Sequence, residues 1–162
     1  MQTQTAKATA HVTHEGVEAI DFLKSQHREV EALFKEIEDA GERATKKKEK
    51  LFATLAEKLT VHTKLEESIF YPAAEEADDD LVLEAFEEHA NVKAMIRKIR
   101  RISADDETFM AKITVLKELV RHHVKEEEEE LFPKCKKTLG DEVLQDLGAE
   151  MKAKFERLQS LS

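Results

Sequence analysis

The chain has little of what breaks helices, staples loops or spans membranes. Among 162 residues there are four glycines, two prolines, one cysteine and no tryptophan. So little turn material argues against an all-β fold, which needs a turn about every ten residues. One cysteine, Cys135, excludes a disulfide framework and a thiolate metal site, and it suits a reducing cytoplasm. Positive charge is also in the minority, with 26 Lys and Arg against 35 Asp and Glu, a net charge of −9. A nucleic-acid partner is therefore not expected, because phosphates are held by clustered basic side chains. The Lys46–Lys50 run is the one basic block, and it reads as a solvated connection between helices. No apolar run approaches the ~18 residues of a membrane span. Residues 1–16 are polar and rich in Thr and Ala, without the apolar core of a secretory signal, and read as a disordered arm. The expectation is a cytoplasmic protein with no membrane partner.

What is present favours long helices. Ala, Glu, Lys and Leu dominate, and charged residues make up 38 % of the chain. Four segments carry apolar stripes at alternating spacings of three and four, the signature of a buried bundle seam. The first is Ile20, Leu23, His27, Val30, Phe34 and Ile37, and the second Leu55, Leu59, His62, Glu66 and Ile69. The third is Ala85, His89, Val92, Ile96 and Ile99, and the fourth Phe109, Ile113, Leu116, Val120, His123 and Glu127. Breaks are expected at Gly41–Lys48, at Pro72 with Asp78–Asp80, and at Ser103–Asp106, with Pro133 and Gly140 closing the fourth helix. Short connections imply antiparallel neighbours. The sequence therefore predicts an all-α, up-down-up-down antiparallel four-helix bundle over residues 17–138. An additional C-terminal helix over 139–162, with Val143, Leu144, Leu147, Met151, Phe155 and Leu158 on one face, is expected to pack on the bundle.

Two parts of the chain repeat one pattern with a period of about sixty residues. His27 opens the first copy, followed by His62, Glu66 and Phe70-Tyr71-Pro72; His89 opens the second, followed by His123, Glu127 and Leu131-Phe132-Pro133. In both copies histidines and a glutamate occupy positions where the stripe calls for apolar side chains. A single His-x-x-x-Glu would read as a buried hydrogen-bonded pair. Two such pairs, each with a further seam histidine upstream, put six polar groups at one depth of a bundle, an expensive network unless a cation joins them. His27, His62, Glu66, His89, His123 and Glu127 are the metal-ligand candidates. Imidazoles and carboxylates without thiolate suit borderline divalent ions such as iron, manganese, zinc or cobalt. Six ligands exceed a closed tetrahedral zinc site and suit two metals. His27 and His62 would hold one, His89 and His123 the other, and the two carboxylates would span both.

These residues carry a family resemblance. The series His27 … His62-x-x-x-Glu66 … His89 … His123-x-x-x-Glu127, with Phe-Tyr-Pro and Leu-Phe-Pro ending the ligand helices, resembles the hemerythrin family and its HHE cation-binding domains over roughly residues 18–135. The resemblance implies a four-helix bundle with a non-haem di-iron centre, its two iron ions joined by an oxo or hydroxo bridge. Members carry or sense oxygen, decompose peroxide, handle nitric oxide, or sense and store iron. The chain departs from the oxygen carriers at Lys93, where they have a further histidine one turn after the first. They also place the last carboxylate five residues beyond its histidine, so Glu128 stands as an alternative to Glu127. Fewer histidines leave open or water-filled positions on both irons, which favours reaction with small oxidants (hydrogen peroxide, O2 or NO) over reversible carriage. Oxygen binding or sensing, and iron sensing or storage, are the alternatives. No catalytic residue is singled out beyond the ligands. His122, Glu67 and Glu128 read as peripheral, Glu130 as extending the seam stripe where the first copy has Ile69, either to gate the site or to reach the helix end, Tyr71 and Phe132 as packing residues, and Lys93 as reaching a bound anion or snorkelling outward.

Overall fold

The computed structural model describes residues 17–161, which form helices joined by short connections, with no strand among them. The arm expected over residues 1–16, with His11 and His14, lies outside the described residues. Helix α1 spans Ala19–Asp39, and the Glu18 carboxylate caps it by accepting from the Ile20 amide at 2.8 Å. Helix α2, Thr45–Leu65, runs through a π-turn at Glu66–Phe70 into the short α3, Tyr71–Ala74. Helix α4, Asp79–Arg100, is capped by Asp78, whose carboxylate accepts from the Leu81 amide at 3.0 Å. Helix α5, Phe109–Glu126, passes through a second π-turn at Glu127–Leu131 into α6, Phe132–Ser160. Helix α1 packs on α2 and α4 on α5; contacts of α1 with α5 and of α2 with α4 close the bundle, and α6 lies against α1 and α2. None of the described helices is long and apolar enough to cross a membrane.

The stripes of α1, α4 and α5 are buried as expected from their spacing. The ends of the ligand helices differ. Pro72 and Pro133 do not close their helices but sit in the first turns of α3 and α6, just after the π-turns. A proline ring clashes with the carbonyl four residues earlier and offers that carbonyl no N–H. Widening the turn relieves the clash: the amides of Tyr71 and Phe132 donate to the carbonyls of Glu66 and Glu127, five residues back. The extra residue also advances the buried face by one position. Ile69 and Glu130, expected on the seam, are only partly buried and exposed respectively, while Phe70, Tyr71, Leu131 and Phe132 are buried.

The break that ends the fourth rod is at Gly140 alone, with φ 78° and ψ 169°, a backbone state open essentially to glycine. It kinks α6 so that Leu144 and Met151 enter the core while Val143 stays exposed. At Gly148 a methyl group would meet the Val17 carbonyl oxygen at 2.2 Å, so this glycine permits the close approach of α6 to the start of α1. The basic run lies on the first turns of α2, not in the connection, and Lys48 is buried.

Candidate metal centre

The apolar interior is in two parts. One gathers Ile20, Leu23, Leu65, Phe70, Leu131, Leu144 and Met151, and the other Phe34, Ile37, Leu55, Ile96, Ile113 and Leu116. Between them lies a polar layer made of His27 from α1, His62 from α2, His89 from α4, His123 from α5, and Glu66 and Glu127 at the starts of the two π-turns. All six are at most 5 % exposed. The structure brings all six predicted candidates together.

Their ring nitrogens face one another in two pairs. His27 Nε2 and His62 Nε2 are 3.2 Å apart, and His89 Nε2 and His123 Nε2 are 3.1 Å apart. Glu66 Oε1 lies 2.8 Å from His62 Nε2, 3.3 Å from His89 Nε2 and 3.8 Å from His123 Nε2. Glu127 Oε1 lies 3.0 Å from His123 Nε2 and 3.4 Å from His27 Nε2. Each carboxylate thus reaches both histidine pairs.

The outer ring nitrogens fix the tautomers. His27 Nδ1 donates to Glu128 Oε2 at 2.8 Å, His62 Nδ1 to Gln26 Oε1 at 2.7 Å, His123 Nδ1 to Glu88 Oε1 at 2.9 Å, and His89 Nδ1, at 3.4 Å, to Glu67 Oε1. A carboxylate can only accept, so Nδ1 carries the hydrogen and a neutral ring turns a bare Nε2 lone pair inward. Lone pairs cannot bond to each other, and both oxygens of Glu66 and Oε1 of Glu127 are buried without a hydrogen bond. Two donors ~2.1 Å from a shared ion stand about 3.0 Å apart at a right angle and about 3.4 Å at the tetrahedral angle, which brackets most of these separations. His27, His62, Glu66 and Glu127 form one group able to hold an ion, and Glu66, His89 and His123 a second. The donor set fits metal cations.

Electrostatics agree. Burial pushes His27 and His123 towards the neutral form, but hydrogen bonds and charge from Glu127, Glu66 and their outer carboxylates outweigh it and raise both pKa values, that of His123 well above the ordinary range. Burial opposes ionisation of Glu66, yet the charge of His62 and the polar side chains around it hold its carboxyl well below the usual range. Protons on imidazoles therefore neutralise the carboxylates wherever no metal does.

Several site residues escaped the periodicity. Tyr71, expected only to pack, is fully buried, and its hydroxyl donates to Glu127 Oε2 at 3.0 Å, while standing 3.1 Å from His89 Nε2 and 3.3 Å from His123 Nε2. Burial and then the two carboxylates raise its pKa well above the ordinary phenol. In the other copy Phe132 stacks on His27, centroids 6.0 Å apart at 4°. The two halves of the centre thus differ in this hydroxyl, and in the Gln26 amide that serves His62 where the Glu88 carboxylate serves His123. Glu128 and Glu67, read as surface groups, hold the outer nitrogens of His27 and His89. Glu128 in turn pairs with Arg28 at 2.5 Å, and Glu67 with Lys93 at 2.8 Å. Lys93 thus leans outward to Glu67. Gln26 and Glu88 gave no sequence signal. Burial and then the Glu127 charge push the Cys135 thiol up to about 12, so it stays protonated.

Beside the four histidines lies a cavity of about 20 Å3, walled by Val30, Leu59, Val92, Val120 and Val124 with Thr63 at its edge. That is room for one water or diatomic molecule. A larger cleft of about 260 Å3 between α1 and α5 shares His27, Val30, Val120 and Val124 with it.

Fold and centre together define a helical bundle built around a buried histidine and carboxylate cation site. The model of the hemerythrin HHE cation binding domain matches residues 18–135, and the chain belongs to that family. It is similar to a crystal structure of a hemerythrin HHE cation binding domain-containing protein from Mycobacterium kansasii, with a TM-score of 0.80 and 26 % identity, covering 89 % of this chain and 88 % of that one. It is also 27 % identical over 143 residues to a DNA nickase of Nostoc sp., covering 86 % of this chain but 39 % of the relative, so the chain spans well under half of that protein's length.

Proposed function

We propose that the chain is a non-haem di-iron protein that binds or reduces small oxidants, namely hydrogen peroxide, O2 or NO, with open positions on both irons. The observation that carries the reading is the cavity of about 20 Å3 against the four imidazoles, on a centre with only four histidine and two carboxylate donors. His27 and His62 would hold one iron, His89 and His123 the other, with Glu66 and Glu127 spanning them. Bound iron would supply one-electron redox chemistry and positions at which a small ligand exchanges.

The protein's own residues set the conditions. The apolar wall of Val30, Leu59, Val92, Val120 and Val124 leaves room only for a small molecule beside the imidazoles. The outer hydrogen bonds from Glu128, Gln26, Glu67 and Glu88 fix the ring orientations and raise the basicity of each inward nitrogen. Tyr71 holds a proton 3.0 Å from Glu127 Oε2 and can deliver or share it at that edge of the centre. Nothing equivalent faces His27, where Phe132 stacks.

The test is anaerobic loading with Fe(II), followed by hydrogen peroxide or oxygen. Consumption of peroxide or irreversible oxidation is expected; a reversible oxygen spectrum with no peroxide turnover would overturn the reactive reading in favour of oxygen binding or sensing. Iron storage is disfavoured, because two ions per 162 residues make a poor reservoir. The nicking activity named for the Nostoc relative is not proposed for this chain, whose net charge of −9 repels a phosphate backbone.

A further inference from the structure

Among the described residues, one more group of metal-ligating side chains converges outside the buried centre, on the opposite side of His123 from the inner layer. Glu88 on α4 and Glu126 on α5 turn carboxylates towards each other, and His122, one turn before Glu126 on the same face, closes the triangle. His122 Nε2 lies 3.3 Å from Glu88 Oε2 and 3.5 Å from Glu126 Oε2. A simple ion pair is the bland explanation, but it fails on the oxygens. Glu88 Oε2 and Glu126 Oε2 are both buried from solvent, and His122 stands beyond ordinary hydrogen-bond length from each, so among the described groups the two carboxyls have only each other close by. Two carboxyls held together in this way repel unless a proton or a cation sits between them. The separations, too long for N–H···O bonds of ordinary length, match the ~3.4 Å expected between donors of one tetrahedral ion.

We propose that Glu88, His122 and Glu126 form a third divalent-cation site, at the surface and joined to the buried centre through Glu88. Two carboxylate oxygens and one imidazole suit a borderline ion such as Zn2+, Mn2+ or Fe2+. The His122 ring is 71 % exposed, so water completes the coordination and the ion exchanges with solvent. Glu88 uses its other oxygen, Oε1, to accept from His123 Nδ1 at 2.9 Å. An ion on Oε2 therefore draws charge from the carboxylate that orients a ligand of the inner centre. The site stands apart from the identity of the buried ions.

The experiment is a calorimetric titration of the iron-loaded protein with Zn2+, with retained iron measured at the end point. One Zn2+ per chain is expected beyond the inner ions. His122→Ala and Glu126→Gln should each weaken it by about tenfold or more while keeping the inner iron and the helical circular dichroism. No Zn2+ bound at millimolar concentration, or equal affinity in the wild type and both variants, would overturn the proposal. Loss of iron from the wild type counts against the di-iron reading alone; the outer site is then still read from the difference between wild type and His122→Ala.

Discussion

Glu66 shows why residue chemistry, rather than periodicity alone, marks this centre. It has no exposed surface, and neither of its oxygens receives a hydrogen bond from a described residue. Such a group is costly unless a cation meets it. Glu66→Ala and Glu127→Ala should each lower bound iron, because each carboxylate reaches both histidine pairs; His122→Ala should leave the buried iron in place. Metal analysis of the purified variants checks this, and the reverse pattern would refute the ligand set. Protons supply a second check. Raised pKa values on His27 and His123 stabilise the metal-free fold fully below the unfolded value of 6.5, and that stabilisation is lost as pH rises through the folded values. Metal needs the same nitrogens bare, so loading should release protons, and iron affinity should fall as pH falls. A weakly buffered indicator titration showing no proton release would contradict it. The six candidates were legible in the sequence because they occur twice at matching intervals. Their supports were not: Gln26 and Glu67 sit one position beside the seam, and Glu88 next to His89, where a sequence shows only solvated polar residues.

At the scale of elements, three of the four seams were legible from their three-and-four spacing. Where the reading slipped, the cause is the π-turn. A fixed 3.6-residue period cannot anticipate one added residue, so Ile69 and Glu130 were placed inward and Tyr71 was taken for packing alone. Pro72 and Pro133 were the available signal, seen as helix ends when they mark a widened turn in a continuing helix. Two element ends carry predictions. Gly140→Ala forces a side chain into a backbone state that costs about 1–3 kcal/mol, and the loss should appear in urea denaturation with the slope unchanged. Asp78 caps α4 and pairs with Lys134 at 2.5 Å; the Lys134 hydrogen bond and the Leu81 amide hold its pKa below the ordinary value of 3.8. Its contribution is present above that value and lost as pH falls through the lower, folded one. Asp78→Asn should therefore lower the denaturation midpoint at neutral pH, and by progressively less in acid as the pH falls below 3.8. Equal loss at neutral and acid pH would rule out the charge.

For the whole molecule, the bundle with its C-terminal helix was legible from composition and stripes. That α6 grows directly out of the fourth rod was not, since only the Gly140 geometry distinguishes a kink from a break. Metal and fold should be coupled. An ion in hundredfold excess over its Kd stabilises by about 2.7 kcal/mol, or roughly 5–10 °C in Tm for a chain of this size. Chelation should lower the melting temperature by that order, and re-addition of iron should restore it; an unchanged melting curve would mean that the layer is content without a cation.

That layer lies across the full section of the bundle, with an apolar cluster on either side. Stripped of its ions, the molecule is weakest at its waist, not at its frayed tips. Amide hydrogen exchange mid-helix, near His62 and His123, should then be faster in the metal-free protein than in the loaded one, and bound cations would act as a keystone between two short stacked bundles.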